Sequence, residues 1–354
     1  MPRAPVFTEV MDVLRQRISA GEYMLRDLPG ERTIAEEIGV SYMTARKAVL
    51  HLIDEQVLSR RSNGSLVVHP RLQSRIGSCQ VALLIPAYPS VHLMRCRLEL
   101  TRALDQHHIQ QRTVEYTHWH DSAISRAVDG ADGVIVIPMT EPVTPRLLRS
   151  FTAPGAKVVI FDGDLSEHGL PSVRLFAREH IHRLLRHLRS LGHRRIDCLN
   201  AQGHNDEVER RITNWRAFLD EHGLEGRLFD DPAPPYTDVV ERAHRTMREL
   251  LRSGSEVGSA LVCTTHPAAL GAVRACYDAG VAIPGDVSVC AVNNEPTGRY
   301  SVPSITGLEM PAIAPLLGRC LDWFASPDAA WTGPLRIVPD AASLFEGEST
   351  GPAC

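Results

Sequence analysis

Arg46 and Lys47 stand within six residues of Ser41, Tyr42 and Thr44, a density of hydrogen-bond donors suited to reading nucleic acid. A guanidinium donates two parallel hydrogen bonds to guanine O6 and N7, worth about 1–3 kcal/mol of discrimination, whereas an ammonium suits a phosphate. A second basic site follows at Arg60 and Arg61, just ahead of Asn63-Gly64, a favoured pair for a tight hairpin turn. These groups act together only if one helix and one hairpin are presented side by side.

The surrounding pattern supplies both elements. Ile34, Ala35 and Ile38 mark one face of a helix, and Ala45, Ala48, Val49 and Leu52 fall at i, i+3, i+4 and i+7 on the next. Between them, Gly39 provides the positive φ of a helix C-terminus and Ser41 an N-cap. Val57 to Arg61 and Ser65 to Val68 then read as two strands. Helix, turn, helix and basic hairpin in this order predict a winged helix-turn-helix, set against the blander reading of a small structural helical subdomain. Residues 1–75 carry 11 basic and 9 acidic side chains, a balance of +2, so the placement of the arginines carries the argument rather than bulk charge.

From about Val6 to Val68 the chain resembles the DNA-binding domain of the GntR family of bacterial regulators. The likeness lies in a leading helix (Val6, Val10, Leu14, Ile18), the "AGEY…LPGER" link, the helix-turn-helix and the "RR" wing. It implies that Arg32, Thr44 and Arg46 touch DNA and that Ser41 binds a phosphate. Gly30 replaces the family's usual Ser, Tyr42 an Arg, and Asn63 and Ser65 two glycines. These departures point to retained DNA binding with a different operator.

At 354 residues, with 44% hydrophobic residues and net charge −4, the chain is sized for two or three folding units with large buried cores. No run of about 18 apolar residues appears, and "MPRAPVFTEV" lacks the apolar core of a signal peptide, so a cytoplasmic location and no membrane partner are expected. The eight cysteines are scattered without C-x-x-C or Cys/His spacing and read as buried free thiols. Sixteen His residues, notably in "THWH" (Thr117 to His120) and "HLRSLGH" (His187 to His193), lack HExxH or a Cys partner, so no metal and no cofactor are expected.

Residues 69–79, "HPRLQSRIGSC", carry no helical or strand period and read as a linker. Beyond them, short apolar runs alternate with amphipathic helices: "VALLIP" (Val81 to Pro86), "GVIVIP" (Gly133 to Pro138), "KVVIF" (Lys157 to Phe161), "IDCLN" (Ile196 to Asn200), "SALVCT" (Ser259 to Thr264) and "VSVCAV" (Val287 to Val292). Runs apolar on both faces suit buried parallel strands, and the fold class is a doubly wound α/β sheet behind the winged head. Ligands bind such sheets outside the carboxyl ends of the strands. That singles out Tyr88 to His92, Thr140 and Glu141, Asp162 to Asp164, Gln202 to Asn205, Thr265 and His266, and Asn293 and Asn294; the bland reading of any one is a cap or turn residue.

This region also resembles the effector domain of LacI/GalR-type regulators, akin to two-lobed periplasmic sugar-binding proteins. The segments that carry the likeness are "ADGVIVIP", "SLGHRRI", "RITNWRAFL", "HPAALGAVRACYDAGVAIPGDVSVCAV" and "PSITGLEMP", covering most of Gln80 to about Ala325. It implies that Arg211 binds ligand hydroxyls. Three carboxylates expected from the family are replaced by Phe176, His266 and Asn293. Neither Phe nor neutral His accepts hydroxyl bonds as a carboxylate does, which points away from an ordinary monosaccharide. A modified, acidic or more apolar ligand follows, a sugar derivative among the candidates, with Arg211 and His266 as anion partners and Tyr88, Ser90, His92, Phe176 and Asn293 completing the site.

GxSxG, P-loop, HExxH and GxGxxG fingerprints are absent, so an enzyme is not expected. The sequence reads as a DNA-binding transcriptional regulator, a repressor in the first instance, with a head at 1–68, a linker at 69–79, an effector-binding and dimerisation domain at 80–345 and a disordered tail at 346–354. Its expected partners are a second copy of itself, a roughly palindromic double-stranded operator and a small polar effector. Two alternatives stand beside this: a DNA-binding dimer whose cleft has lost its ligand, and a cytoplasmic solute-binding protein.

Overall fold

The computed structural model describes residues 6–19, 23, 28–60, 64–69, 79–234 and 236–353. The head opens with α1 (Val6–Ser19), α2 (Glu31–Ile38) and α3 (Tyr42–Asp54), followed by strands β1 (Leu58–Arg60) and β2 (Leu66–Val68). Val10, Leu14 and Ile18 of α1 meet Ile34 and Ala35 of α2 and Ala45, Ala48, Val49 and Leu52 of α3 in one apolar core, which the wing closes with Leu58 and Leu66. Gly39 takes φ 75°, the left-handed conformation that ends α2 without Cβ strain. Two residues on, the Ser41 hydroxyl accepts from the Thr44 amide at 3.1 Å and starts α3. The wing strands pair antiparallel, Leu58 opposite Val68 and Arg60 opposite Leu66. Arg61, Asn63 and most of the linker lie outside the described residues.

Two six-stranded sheets form the remainder. The first contains β3 (Gln80–Pro86), β4 (Gln110–Tyr116), β5 (Gly133–Val136), β6 (Val158–Phe161), β7 (Ser172–Val173) and β13 (Arg336–Ile337), in the order β13-β7-β6-β5-β3-β4. The second contains β8 (Ile196–Asn200), β9 (Leu228–Asp230), β10 (Ala260–Cys263), β11 (Ser288–Asn294), β12 (Thr306–Glu309) and β14 (Leu344–Phe345), in the order β14-β12-β11-β10-β8-β9. All pairings are parallel except β12 with β14. Each expected apolar run forms a strand, and these central strands are buried on both faces, as parallel sheets with helices on either side require.

The helices are α4 (Val91–Gln106), α5 (Ser122–Gly130) and α6 (Pro145–Phe151) in the first lobe, and α7 (Arg178–Ser190), α8 (Asp206–His222), α9 (Val239–Arg252) and α10 (His266–Asp278) in the second. Helix α11 (Ala314–Phe324) follows the second sheet but packs on α4, and β13 joins the first sheet before β14 returns to the second. The chain therefore passes between the lobes three times: after β7, after β12 and after β13. Seven cysteines, Cys79 through Cys320, are free and buried among the described residues.

The last residues, expected to be disordered, are instead part of the second lobe. The Ser349 hydroxyl donates to the Val289 carbonyl at 2.6 Å, the Gly351 amide to Ser288 Oγ at 3.0 Å and the Ala353 amide to the Leu191 carbonyl at 2.8 Å. Buried His193 accepts or donates at both ring nitrogens, to Ser259 on one side and to Ser288 and the Gly351 carbonyl on the other. The polar composition that suggests disorder instead satisfies backbone and side-chain groups at the start of β11.

Candidate functional site

The head presents Tyr42, Met43, Arg46 and Lys47 on the outer face of α3, with Thr44 half-buried at its start. Lys47 Nζ sits 4.3 Å above the Phe7 ring, and the Arg32 guanidinium lies 6.0 Å from the Tyr42 ring. Ser41 spends its hydroxyl on the cap and on Thr44 Oγ1, 2.8 Å away. Glu31, which the sequence did not single out, organises this surface. It accepts from the Tyr42 hydroxyl at 3.2 Å and pairs with Arg60, whose other nitrogen donates to the Gly64 carbonyl at 3.1 Å. Arg60 thus ties the wing to α2. A sequence signal existed: an acid at the first position of α2 complements its amino-terminal dipole, but its cross-chain partners are set by tertiary structure.

In the α/β region the strand ends of the two lobes face one another across a cleft of about 100 Å³. Five of the seven expected ligand residues, Tyr88, Ser90, His92, Arg211 and Asn293, line it together. Several cleft residues are fixed as helix caps: Ser90 accepts from the Leu93 amide at 3.3 Å, Asn205 from Val208 at 2.9 Å and Thr265 from Ala268 at 3.4 Å. The strand-end rule located them because a parallel strand delivers the chain to the sheet's upper edge just where the next helix begins.

Phe176 and His266 do not line the cleft. Phe176 is buried in the core, with the Arg211 guanidinium 5.9 Å from its ring, and so supports that arginine from behind. His266 is fully buried, 3.4 Å from the Thr297 hydroxyl, and burial pushes its pKa down to about 4. A neutral ring under Gly298 is no anion partner.

The carboxylates argued to be missing are present, from other positions. Asp162, Glu207 and Glu295 all line the cleft. Asp162 Oδ2 lies 2.7 Å from His92 Nε2. Burial opposes charge on both, but the pairing prevails: with Cys96 and Asp162 beside it His92 is held well above its usual pKa, and Asp162 is drawn below its own by His92, then Arg211 and Arg174. Glu207 accepts from Arg174 Nε at 2.8 Å, and burial still pushes its carboxyl upward against that pairing. Arg211 donates to the Thr264 carbonyl at 2.7 Å and to Asn293 Oδ1 at 3.2 Å. Its Nε and Asp162 Oδ1 are buried without a hydrogen-bond partner, which is the state of groups awaiting a ligand.

Contacts across the cleft join the lobes. Arg174 meets Glu207, Arg210 meets Asp164 at 3.0 Å, and the Tyr236 hydroxyl donates to the Thr117 carbonyl at 2.9 Å, with its ring edge-on to Tyr88. A second cavity of about 370 Å³ adjoins, sharing Pro138, Thr140, Asp162, Asn205 and Glu207 as walls. Among the described residues no group of side chains could hold a metal ion, and no helix is long and apolar enough to cross a membrane.

Comparison with known proteins agrees with both halves. Residues 7–68 match the family of bacterial regulatory proteins named gntR, and residues 185–315 match a periplasmic binding protein-like domain. An HTH-type transcriptional regulator in the aml 5′ region of Streptomyces limosus is 27% identical over 199 residues, 52% of this chain and 53% of the relative. The HTH-type transcriptional repressor NagR of Bacillus subtilis is 34% identical over 74 residues, 20% of this chain and 30% of the repressor. The chain thus spans about half the length, or less, of these curated relatives. A LacI family transcriptional regulator from Arthrobacter sp. FB24, solved in complex with lactose, superposes with a TM-score of 0.64 at 17% identity, over 77% of this chain and 99% of that one.

Proposed function

Because the chain joins a GntR-type helix-turn-helix domain to a periplasmic-binding-protein-like domain, we propose that it is a transcriptional regulator, acting as a repressor, whose operator affinity is set by a small polar effector in the interlobe cleft. The observation that carries this reading is the pairing, in one chain, of an exposed recognition helix bearing Arg46 and Lys47 with a cleft whose Arg211 Nε and Asp162 Oδ1 have no protein partner. In the head, Arg46 reads a base edge, while Lys47, Arg32 and Ser41 lie toward phosphates, and Arg60 with Glu31 positions the wing. Arg61 and Asn63, which fall between the two wing strands in sequence, are proposed as further contacts.

The protein acts as a homodimer. Val91, Met94 and Leu98 expose an apolar stripe at i, i+3 and i+7 on α4, with Met94 61% exposed, and Tyr277, Tyr300 and Val302 stand out on the second lobe. Two heads then read half-sites about 34–36 Å apart, and the operator is roughly palindromic. Effector binding favours one arrangement of the lobes through Arg174–Glu207, Arg210–Asp164 and Tyr236, and lowers operator affinity by no more than its preference for that arrangement.

The test is selection of a duplex from random DNA, followed by titration of that duplex with full-length protein. The expected sequence has dyad symmetry, and Arg46→Ala weakens binding by about 1–3 kcal/mol with relaxed specificity at one position per half-site. Enrichment of no sequence, or an unchanged affinity for Arg46→Ala, would refute the reading.

A further inference from the structure

Three of the cleft's charges have hydrogen-bonded side-chain partners of opposite sign, His92 and Asp162 in each other at 2.7 Å and Glu207 in Arg174 at 2.8 Å. That leaves one cation, Arg211, and one anion, Glu295. Arg211 is 6% exposed, is held by two acceptors and has a free Nε. Glu295 is 5% exposed, follows Asn293 and Asn294 at the end of β11, and no side-chain hydrogen bond or ion pair reaches its carboxylate among the described residues. The cations that act on it are His92, already matched by Asp162, and Arg95 on α4. Burial pushes the Glu295 carboxyl upward, and a ligand that supplies a charged donor from the cleft would favour its ionised form. An organic cation would match this carboxylate without needing further protein ligands.

We propose that the cleft takes a small ligand carrying a protonated amine and an oxygen acceptor, the ammonium docking on Glu295 and the acceptor on Arg211. The inference rests on the cleft being the effector site. Asp162 Oδ1, buried and unpartnered on the same surface, gives a third anchor for a hydroxyl or a second amine proton. A charge-assisted ammonium–carboxylate bond is stronger than a neutral hydroxyl donor could make, and this sets the selectivity. Two sources share the chemistry: an amino sugar, whose acceptor is a hydroxyl, and an amino acid, whose acceptor is its carboxylate.

Calorimetric titration of the full-length protein with glucosamine, serine, glucose and N-acetylglucosamine tests this. Binding of glucosamine or serine is expected at least about tenfold tighter than either neutral sugar. Glucosamine as the tighter ligand identifies the amino-sugar source, serine the amino-acid source. Glu295→Gln should abolish the preference without lowering the melting temperature. Glucose or N-acetylglucosamine binding as well as glucosamine, or a preference that survives Glu295→Gln, overturns the amine assignment and leaves the cleft as an effector site of another class. Binding of none of the four at millimolar concentration overturns the assignment and removes support from the effector reading too.

Discussion

At the level of single residues, the cleft shows how far a side chain's role depends on its neighbours. Arg211 was legible only through the resemblance of its segment to LacI/GalR-type effector domains, whereas Glu207 and Glu295 were not, since nothing local distinguishes them from the chain's other acids. His266 illustrates the opposite error: a polar residue after a strand looked like a ligand group, yet its ring points into packed structure. Its titration gives a prediction. With an ordinary value of 6.5 and a folded value of about 4, the unfolded chain binds a proton between these limits that the folded protein refuses. Stability present above pH 6.5 is therefore lost as pH falls toward 4, by about 3 kcal/mol from this group. Urea unfolding at pH 7 and pH 4.5 should show a smaller acid loss for His266→Asn than for the parent; equal losses would mean the ring is not buried in its neutral form.

At the level of elements, strands buried on both faces were readable from their apolar runs, as were the helix-turn-helix and the wing. The edges were not. Strand β4 reads "QQRTVEY", β9 spans three residues, and β7, β13 and β14 span two each, too short or too polar for any period to emerge. Close packing is equally silent in sequence. A Cβ on Gly271 of α10 would lie 2.4 Å from the Val240 carbonyl and 2.7 Å from the His244 amide nitrogen of α9, so the two helices touch backbone to backbone there. Gly271→Ala should cost about 1–3 kcal/mol by forcing them apart. Gly318 of α11 has open space around it, and Gly318→Ala should add up to about 1 kcal/mol through helix propensity. Chemical denaturation of both variants checks the contrast, and like-signed changes would contradict the packing described.

At the level of the whole molecule, the proposed regulation requires that a second copy be held so that movement between lobes alters the distance between heads. The apolar stripe on α4 is the surface most directly concerned. Met94→Asp should shift the protein from dimer to monomer in sedimentation at micromolar concentration and weaken operator binding about as much as loss of one half-site, because a single head lacks its partner's contribution to effective concentration. A variant that stays dimeric would assign the interface elsewhere.

The three passages of chain between the lobes also govern how the protein is made. The first sheet is not complete until Arg336 and Ile337 have joined it beside β7, and the second not until β14 and the residues through Ala353 have locked onto β11 and α7. The head, closed by residue 68, can fold on the ribosome while most of the chain is still unsynthesised. On the function proposed above, a DNA-reading unit then exists before the part that restrains it, and a message cut short downstream would yield heads without lobes, able to reach DNA only singly and beyond an effector's control.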